Sequence, residues 1–368
     1  MSAFAKEAKQ LVIKFGTGLL TSGQAHLDFE RIQGLCKAIA TLHKQGFEII
    51  LVSSGSIGMG MKQLGLERRP THMHMLQACA AIGQNLLMHT WQKGFEPFGH
   101  SVAQLLLTHD DLRTRKRHVG IKNVLEELLH QKVIPIINEN DSISTEEIRF
   151  GDNDILSALV ASLTKADLLA ILSTVPGLLD LQGSGELISV VETITPEIEA
   201  MAGGTTSPTA VGGMISKIHA AKVATRSGCN TFIGSGYNAD IIEQLASGTA
   251  SGTLFMSKRL TMRSRKRWIA FFQKPQGILT VDAGAHEALV SQGKSLLAKG
   301  ITQTEGTFKE GDLVDIANPR GSLFARGIAT YNNQDLQSIR GNSSAAIRGQ
   351  FPKRKRLEVI HRDSLVIL

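Results

Sequence analysis

Lys14 closes a short apolar run, Leu11 to Phe15, and Gly16-Thr17-Gly18 follow at once. An ammonium at the end of a buried strand, beside glycines that let backbone N–H groups approach, suits a phosphate. A strand end with a snorkelling lysine and a plain turn fits the same residues equally. A second strand-turn-helix pattern follows Phe47 to Val52, where Ser53-Ser54-Gly55-Ser56-Ile57-Gly58 offers hydroxyl and backbone donors and room for a carboxylate or phosphate. A third comes at Val211-Gly212-Gly213-Met214-Ile215-Ser216-Lys217. There a glycine pair is expected just before a helix, with a lysine one turn in, which makes a second phosphate cradle by the same physics.

Between them lies Asn138 to Asp154, NENDSISTEEIRFGDND, with short carboxylates and amides gathered at both ends. Such side chains often only cap helices and make turns. Here one cluster follows the apolar run Val133 to Ile137 and the other opens the amphipathic run Asp154 to Leu163. Open α/β sheets bind ligands at that place, off the carboxyl ends of their strands, and we assign the two clusters to an acceptor substrate. Asp167 to Leu172 ends in Ser173-Thr174-Val175-Pro176-Gly177, a strand and polar turn suited to a nucleotide base or ribose.

Other chemistries are excluded. Gly55 to Lys62 nearly imitates a P-loop, but Met61 stands where the lysine belongs; Ala288 to Ser295 lacks the first glycine. His72, His74 and Cys79 have no familiar metal-ligand spacing, so no metal site is expected. No apolar run reaches the roughly 18 residues of a membrane span, and Leu11 to Ile13 is too short for a signal peptide. Three scattered cysteines, Cys36, Cys79 and Cys229, fit a reducing compartment, so a cytoplasmic protein is expected.

The elements that must position these residues alternate strand and helix over 11–256, which predicts a mainly parallel sheet covered on both faces. The glycine-rich turns all follow strands and should gather on one sheet edge. Asp28 reads as the N-cap of a helix with Phe29, Ile32, Leu35, Cys36, Ile39 and Leu42 on its apolar face. Arg113 to His118 heads a helix ending near Gln131, and Gly203 to Pro208 reads as a mobile loop. Three parts follow: an α/β body over 1–256, a basic linker over 257–274, and a small β-rich module over 275–368. Charge separates them: residues 1–256 hold 21 Lys and Arg against 24 Asp and Glu, residues 257–368 hold 19 against 9. A basic module attracts polyanions, RNA among them, and equally fits a solvated surface.

VIKFGTG (12–18), VSSGSI (52–57), INEND (137–141), GDNDILSALVA (151–161) and GGMISK (212–217) together resemble the glutamate 5-kinase family of the amino-acid kinase superfamily. GILTVDAGAHEAL (277–289), SLLAKGI (295–301), GTFKEGDLVDI (306–316) and HRD (361–363) resemble the PUA module that bacterial members carry, and RKRW (265–268) the segment joining the two. The resemblance implies an amino-acid-kinase-like three-layer α/β sandwich followed by a PUA-like domain. It implies transfer of the γ-phosphoryl of ATP to the side-chain carboxylate of L-glutamate, the first step towards proline, with Mg²⁺ held mainly by phosphates and water.

By position, Lys14 and Lys217 resemble the lysines that contact the transferred phosphoryl group, and Asp154 the aspartate that holds them. Ser54, Asn138, Asp141, Asp152 and Asn153 resemble the glutamate-binding set. ATP is implied at Lys14, Gly16, Thr17, Gly18, Ser173, Thr174, Val211, Gly212, Gly213, Met214, Ile215, Ser216 and Lys217. Where the family has Thr-Asp this chain has Ser173-Thr174; VPGLLDLQG (175–183) is shortened and lacks a tyrosine, and Val211 replaces a threonine. The family is commonly a homo-oligomer inhibited by proline. An RNA-binding protein with a degenerate kinase body is the alternative, with RNA permitted by the basic tail but not expected.

Overall fold

The computed structural model describes the chain apart from residues 1–7, 23–25, 144–151, 182, 203–207, 258–265, 267–268, 271, 273–274, 353 and 355. It divides into two compact units, Met1–Thr261 and Met262–Leu368. The first is built on β1 (Gln10–Phe15), β4 (Glu48–Val52), β5 (Val102–Leu107), β6 (Ile134–Glu139), β7 (Leu168–Ser173), β8 (Val190–Val191), β9 (Asn230–Ser235) and β10 (Thr253–Phe255). A separate short pair, β2 (Thr21–Ser22) and β3 (His26–Leu27), leads off β1. The large sheet runs β5-β6-β4-β1-β7-β9-β10-β8. Its pairings are parallel except between β9 and β10.

The longer helices that frame it among the described residues are α1 (Phe29–Lys44), α2 (Ser56–Gln63), α3 (Met73–Phe95), α4 (Arg115–His130), α5 (Asp152–Thr164), α6 (Pro208–Arg226) and α7 (Ile241–Ser247). Side chains of a strand alternate between faces. Leu11, Ile13 and Phe15 of β1 therefore join Ile32 and Leu35 of α1, Leu87 and Trp91 of α3, and Ile242 of α7 in one buried cluster. Val12 and Lys14 turn to the other face, where α5 packs on β1, β6 and β7 and α6 lies along α5. Three layers result, as the alternation implies. Asp28 caps α1, accepting from the Arg31 N–H at 3.0 Å. Among the described residues no helix is long and apolar enough to cross a membrane. Gly203 to Ser207 of the expected loop lie outside the described residues.

Two glycines bring α2 and α3 together. A Cβ on Gly60 would stand 1.8 Å from the Cys79 carbonyl oxygen, and one on Gly83 1.8 Å from that of Ser56. Gly55 opens α2 at φ +109°, a conformation that glycine adopts without strain.

The second unit holds β11 (Gly277–Val281), β12 (Ile301–Gly306), β13 (Leu313–Ala317), β14 (Leu323–Ile328) and β15 (Leu365–Ile367), ordered β12-β11-β13-β14-β15. Only β11 and β13 pair in parallel. Leu279, Val281, Val314, Ile316 and Tyr331 form its core. Within the stretch read as a basic linker, Ile269 and Ala270 are buried against Leu313 and Val366, and the Ala270 carbonyl accepts from Arg326 at 2.9 Å.

Gly83→Ala should lower the urea midpoint by an amount equal to about 1–3 kcal/mol of stability, because a backbone oxygen cannot yield. Without the close approach the same change would raise helix propensity by up to about 1 kcal/mol, so a midpoint that rises refutes the packing.

Candidate active site

β1 lies between β4 and β7, with Lys14 opposite Val52 on one side and Ile171 on the other. Its ammonium emerges at the carboxyl edge of the sheet and meets Asp154, the third residue of α5, at 2.6 Å. Lys217 arrives from α6, its Nζ 3.5 Å from the second oxygen of the same carboxylate. Ser216 Oγ donates to that oxygen at 2.6 Å. Lys217 Nζ is further tied to the Gly213 carbonyl at 2.9 Å. Two cations 203 positions apart in the chain thus share one anion that is 1% exposed.

Burial alone would raise the Asp154 carboxyl. The Lys14 and Lys217 charges, with hydrogen bonds from Lys14 and Ser216, outweigh it and hold the group below the usual carboxylate range. Burial pushes Lys217 below the usual lysine range; the pull of Asp154 opposes this, and repulsion from Lys14 adds to it. The cluster carries two positive charges against one negative, which suits an incoming anion.

A second network begins one residue away. Asn153 Nδ2 donates to Ser54 Oγ and to Asn138 Oδ1, both at 3.0 Å. Asn138, 1% exposed, also accepts from the Glu139 N–H at 3.0 Å and donates to Gln84 Oε1 at 2.8 Å and Ser56 Oγ at 3.4 Å. A cavity of about 320 Å³ opens beside it, lined by Ser56, Gln84, Asn85, Gln104, Glu139 and Asp141, among others. That is the small end of ligand pockets.

Gly16 and Gly18 lie against the end of β7: the Gly16 N–H donates to the Leu172 carbonyl at 2.9 Å, and a Cβ on Gly18 would come 3.3 Å from Thr174. The expected nucleotide turns 16–18 and 173–174 are therefore neighbours. Gly212 and Gly213 differ from expectation. They lie inside α6, which starts at Pro208, not ahead of it. Proline at the first helical position is preorganised for a helix, and each interior glycine costs only about 1 kcal/mol. The side chains of Asp152 and of 208–212 lie outside the described set, as do residues 144–151.

Gln84, Asn85 and Gln104 belong to no motif. Gln84 stands between Gly83 and Asn85 with no spacing that marks it, and the structure buries it to 8% exposure.

Known proteins match over both units. The family described as "Amino acid kinase family" matches residues 9–235, and "PUA domain" matches 277–350. "Glutamate 5-kinase" of Syntrophotalea carbinolica is 45% identical over 98% of each chain. The protein of that name from Geobacter sulfurreducens is 41% identical over 100% of both. Carbamate kinase from Giardia lamblia bound to AMP-PNP superposes with TM-score 0.50 at 17% identity, covering 69% of this chain and 100% of its own, a likeness of fold alone. With relatives this similar along nearly their whole length, the chain belongs to the amino acid kinase family, in its glutamate 5-kinase branch.

Proposed function

We propose that the protein phosphorylates the side-chain carboxylate of L-glutamate from ATP, giving L-glutamyl 5-phosphate, the first step of proline biosynthesis. The observation that carries the chemistry is the meeting of Lys14 and Lys217 on Asp154. The choice of acceptor is supported by the full-length relatives and by the amide network beside that meeting point.

A glutamate side chain has an ordinary pKa of about 4.3, so it arrives ionised and needs no general base. The barrier is the approach of an anion to a polyanion. Lys14 and Lys217 offset that repulsion and stabilise the charge spread over the transferring oxygens. Asp154 aims both ammonium groups. Ser54, Asn138, Asp141, Asp152 and Asn153 bind glutamate, and 16–18, 173–174 and 211–217 bind the nucleotide.

Mg²⁺ belongs with the nucleotide as part of the substrate. Both Asp154 oxygens are engaged by lysines, and among the described residues no group of His, Cys, Asp or Glu is arranged to hold a metal. The ion then leans on phosphate oxygens and water, as Mg²⁺ commonly does. A decayed kinase body serving an RNA-binding module is not favoured, because both lysines and their aspartate remain assembled. Homo-oligomer formation and inhibition by proline accompany this reading.

ADP release should require both ATP and glutamate, and hydroxylamine should trap the acyl phosphate as a hydroxamate. Release supported better by aspartate or N-acetylglutamate would displace glutamate as the acceptor. Lys217→Ala should lower kcat by at least about tenfold with a modest change in KM; an unchanged kcat removes Lys217 from the chemistry.

Lys217 works as an ammonium, so activity falls as pH rises through its depressed pKa. Asp154→Asn removes an attraction that raises that pKa. The alkaline limb of the pH–rate profile should move to lower pH; a limb that stays in place assigns it to another group.

A further inference from the structure

We propose that Gln84 binds the substrate directly, its side-chain amide donating a hydrogen bond to the α-carboxylate of the amino-acid acceptor. The proposal rests on the glutamate reading above and names a contact within it. Donor and acceptor bookkeeping along the network supplies the argument. A backbone N–H can only donate, so the Glu139 N–H fixes the atom it meets as Asn138 Oδ1. The other end of that amide must then be Nδ2, which donates. Gln84 therefore turns its oxygen to Asn138, and its NH₂ is left pointing away from the network.

Asn138 is the one hydrogen-bond partner of Gln84 among the described residues. The side chain is 8% exposed and lines the cavity that also holds Asp141. The residue is buried but its NH₂ is open to a ligand-sized cavity and has no protein acceptor among the described residues, so a ligand in that cavity can supply one. Ser54 is oriented by the same logic: its oxygen accepts from Asn153, so its hydroxyl hydrogen is free to donate.

The two donors stand at different steps along the network from Asp154. Ser54 bonds Asn153, the neighbour of Asp154, whereas Gln84 is reached only through Asn138. An acceptor with its γ-carboxylate at Lys14 and Lys217 directs its α-amino and α-carboxylate groups towards the Gln84 end. There the Asp141 carboxylate suits the ammonium and the Gln84 amide suits the carboxylate. The backbone holds Gln84 in place, since Gly83 seats α3 against the Ser56 carbonyl.

The test is a double cycle of side chain against ligand group in the full-length protein. Gln84→Leu is paired with 4-aminobutyrate, which is glutamate without its α-carboxylate. Binding is read by calorimetry and by competition with glutamate. Gln84→Leu should weaken glutamate by at least about tenfold, the scale of a hydrogen bond to a charged group. It should weaken 4-aminobutyrate by clearly less, because that ligand shares only the loss of the Asn138 bond and has no α-carboxylate to lose.

Gln84→Glu, which keeps an oxygen to accept from Asn138 and removes only the donors, gives the same pattern and serves if the leucine variant does not fold. Equal losses for both ligands would make Gln84 a positioning residue for Asn138 and overturn the proposal, as would no loss for glutamate. ADP release by the unaltered protein is measured alongside. Its absence with glutamate refutes the proposed activity, while the binding cycle still decides the contact.

Discussion

Two ammonium groups held against one buried carboxylate leave a net positive charge in a place with little water. Removing ions from water is costly, and a surplus of one sign is costlier still. The fold offsets part of this by setting Asp154 in the first turn of α5, where the helix dipole favours an anion, and by giving the same carboxylate the Ser216 hydroxyl. The remainder is an unmet demand for negative charge. In the proposed reaction a terminal phosphoryl group bearing down on a carboxylate supplies it, so the surplus charge of the cluster and the chemistry of transfer have one origin.

The sheet makes the arrangement rigid. Lys14 sits on a strand with neighbours on both sides, and its position follows from backbone ladders. Lys217 comes from a helix that packs along the one bearing Asp154. The neighbouring network, to which we assign the acceptor, is a different device: a run of amides in which each polarity is set by the one before. Asn138 is its hub, with both ends of its amide engaged. In the proposed reaction charge handles the transfer and fixed dipoles handle recognition.

Much of the site is visible in the sequence because strand, glycine turn and helix recur with local spacing. Lys14, the 16–18 turn, the Asn138 cluster and the Asp154 helix can all be placed from that rhythm. The start of α6 is harder, since Gly212-Gly213 reads as a breaker although Pro208 has already begun the helix. Gln84 is hidden for another reason. It is one of four amides in a 23-residue helix and has no periodic signature; what sets it apart is its bond to Asn138, 54 positions away. Gly60 and Gly83 read as parts of unrelated stretches, and only the close approach of α2 and α3 links them. In the second unit, basic charge masks the apolar pair Ile269 and Ala270, so a packed segment looks like a connector.

The central place of β1 bears on how the chain is made. Its ladder partners are Glu48–Val52, soon after it in the sequence, and Leu168–Ser173, more than a hundred residues later. During synthesis the early strands reach the solvent with the β7 side of β1 unpaired, an apolar edge of the sort that recruits other chains. Strands that wait for distant partners are also slow to settle. Until residue 173 has left the ribosome that side of β1 stays open to other chains, and folding helpers that shield sheet edges would act on it in that interval.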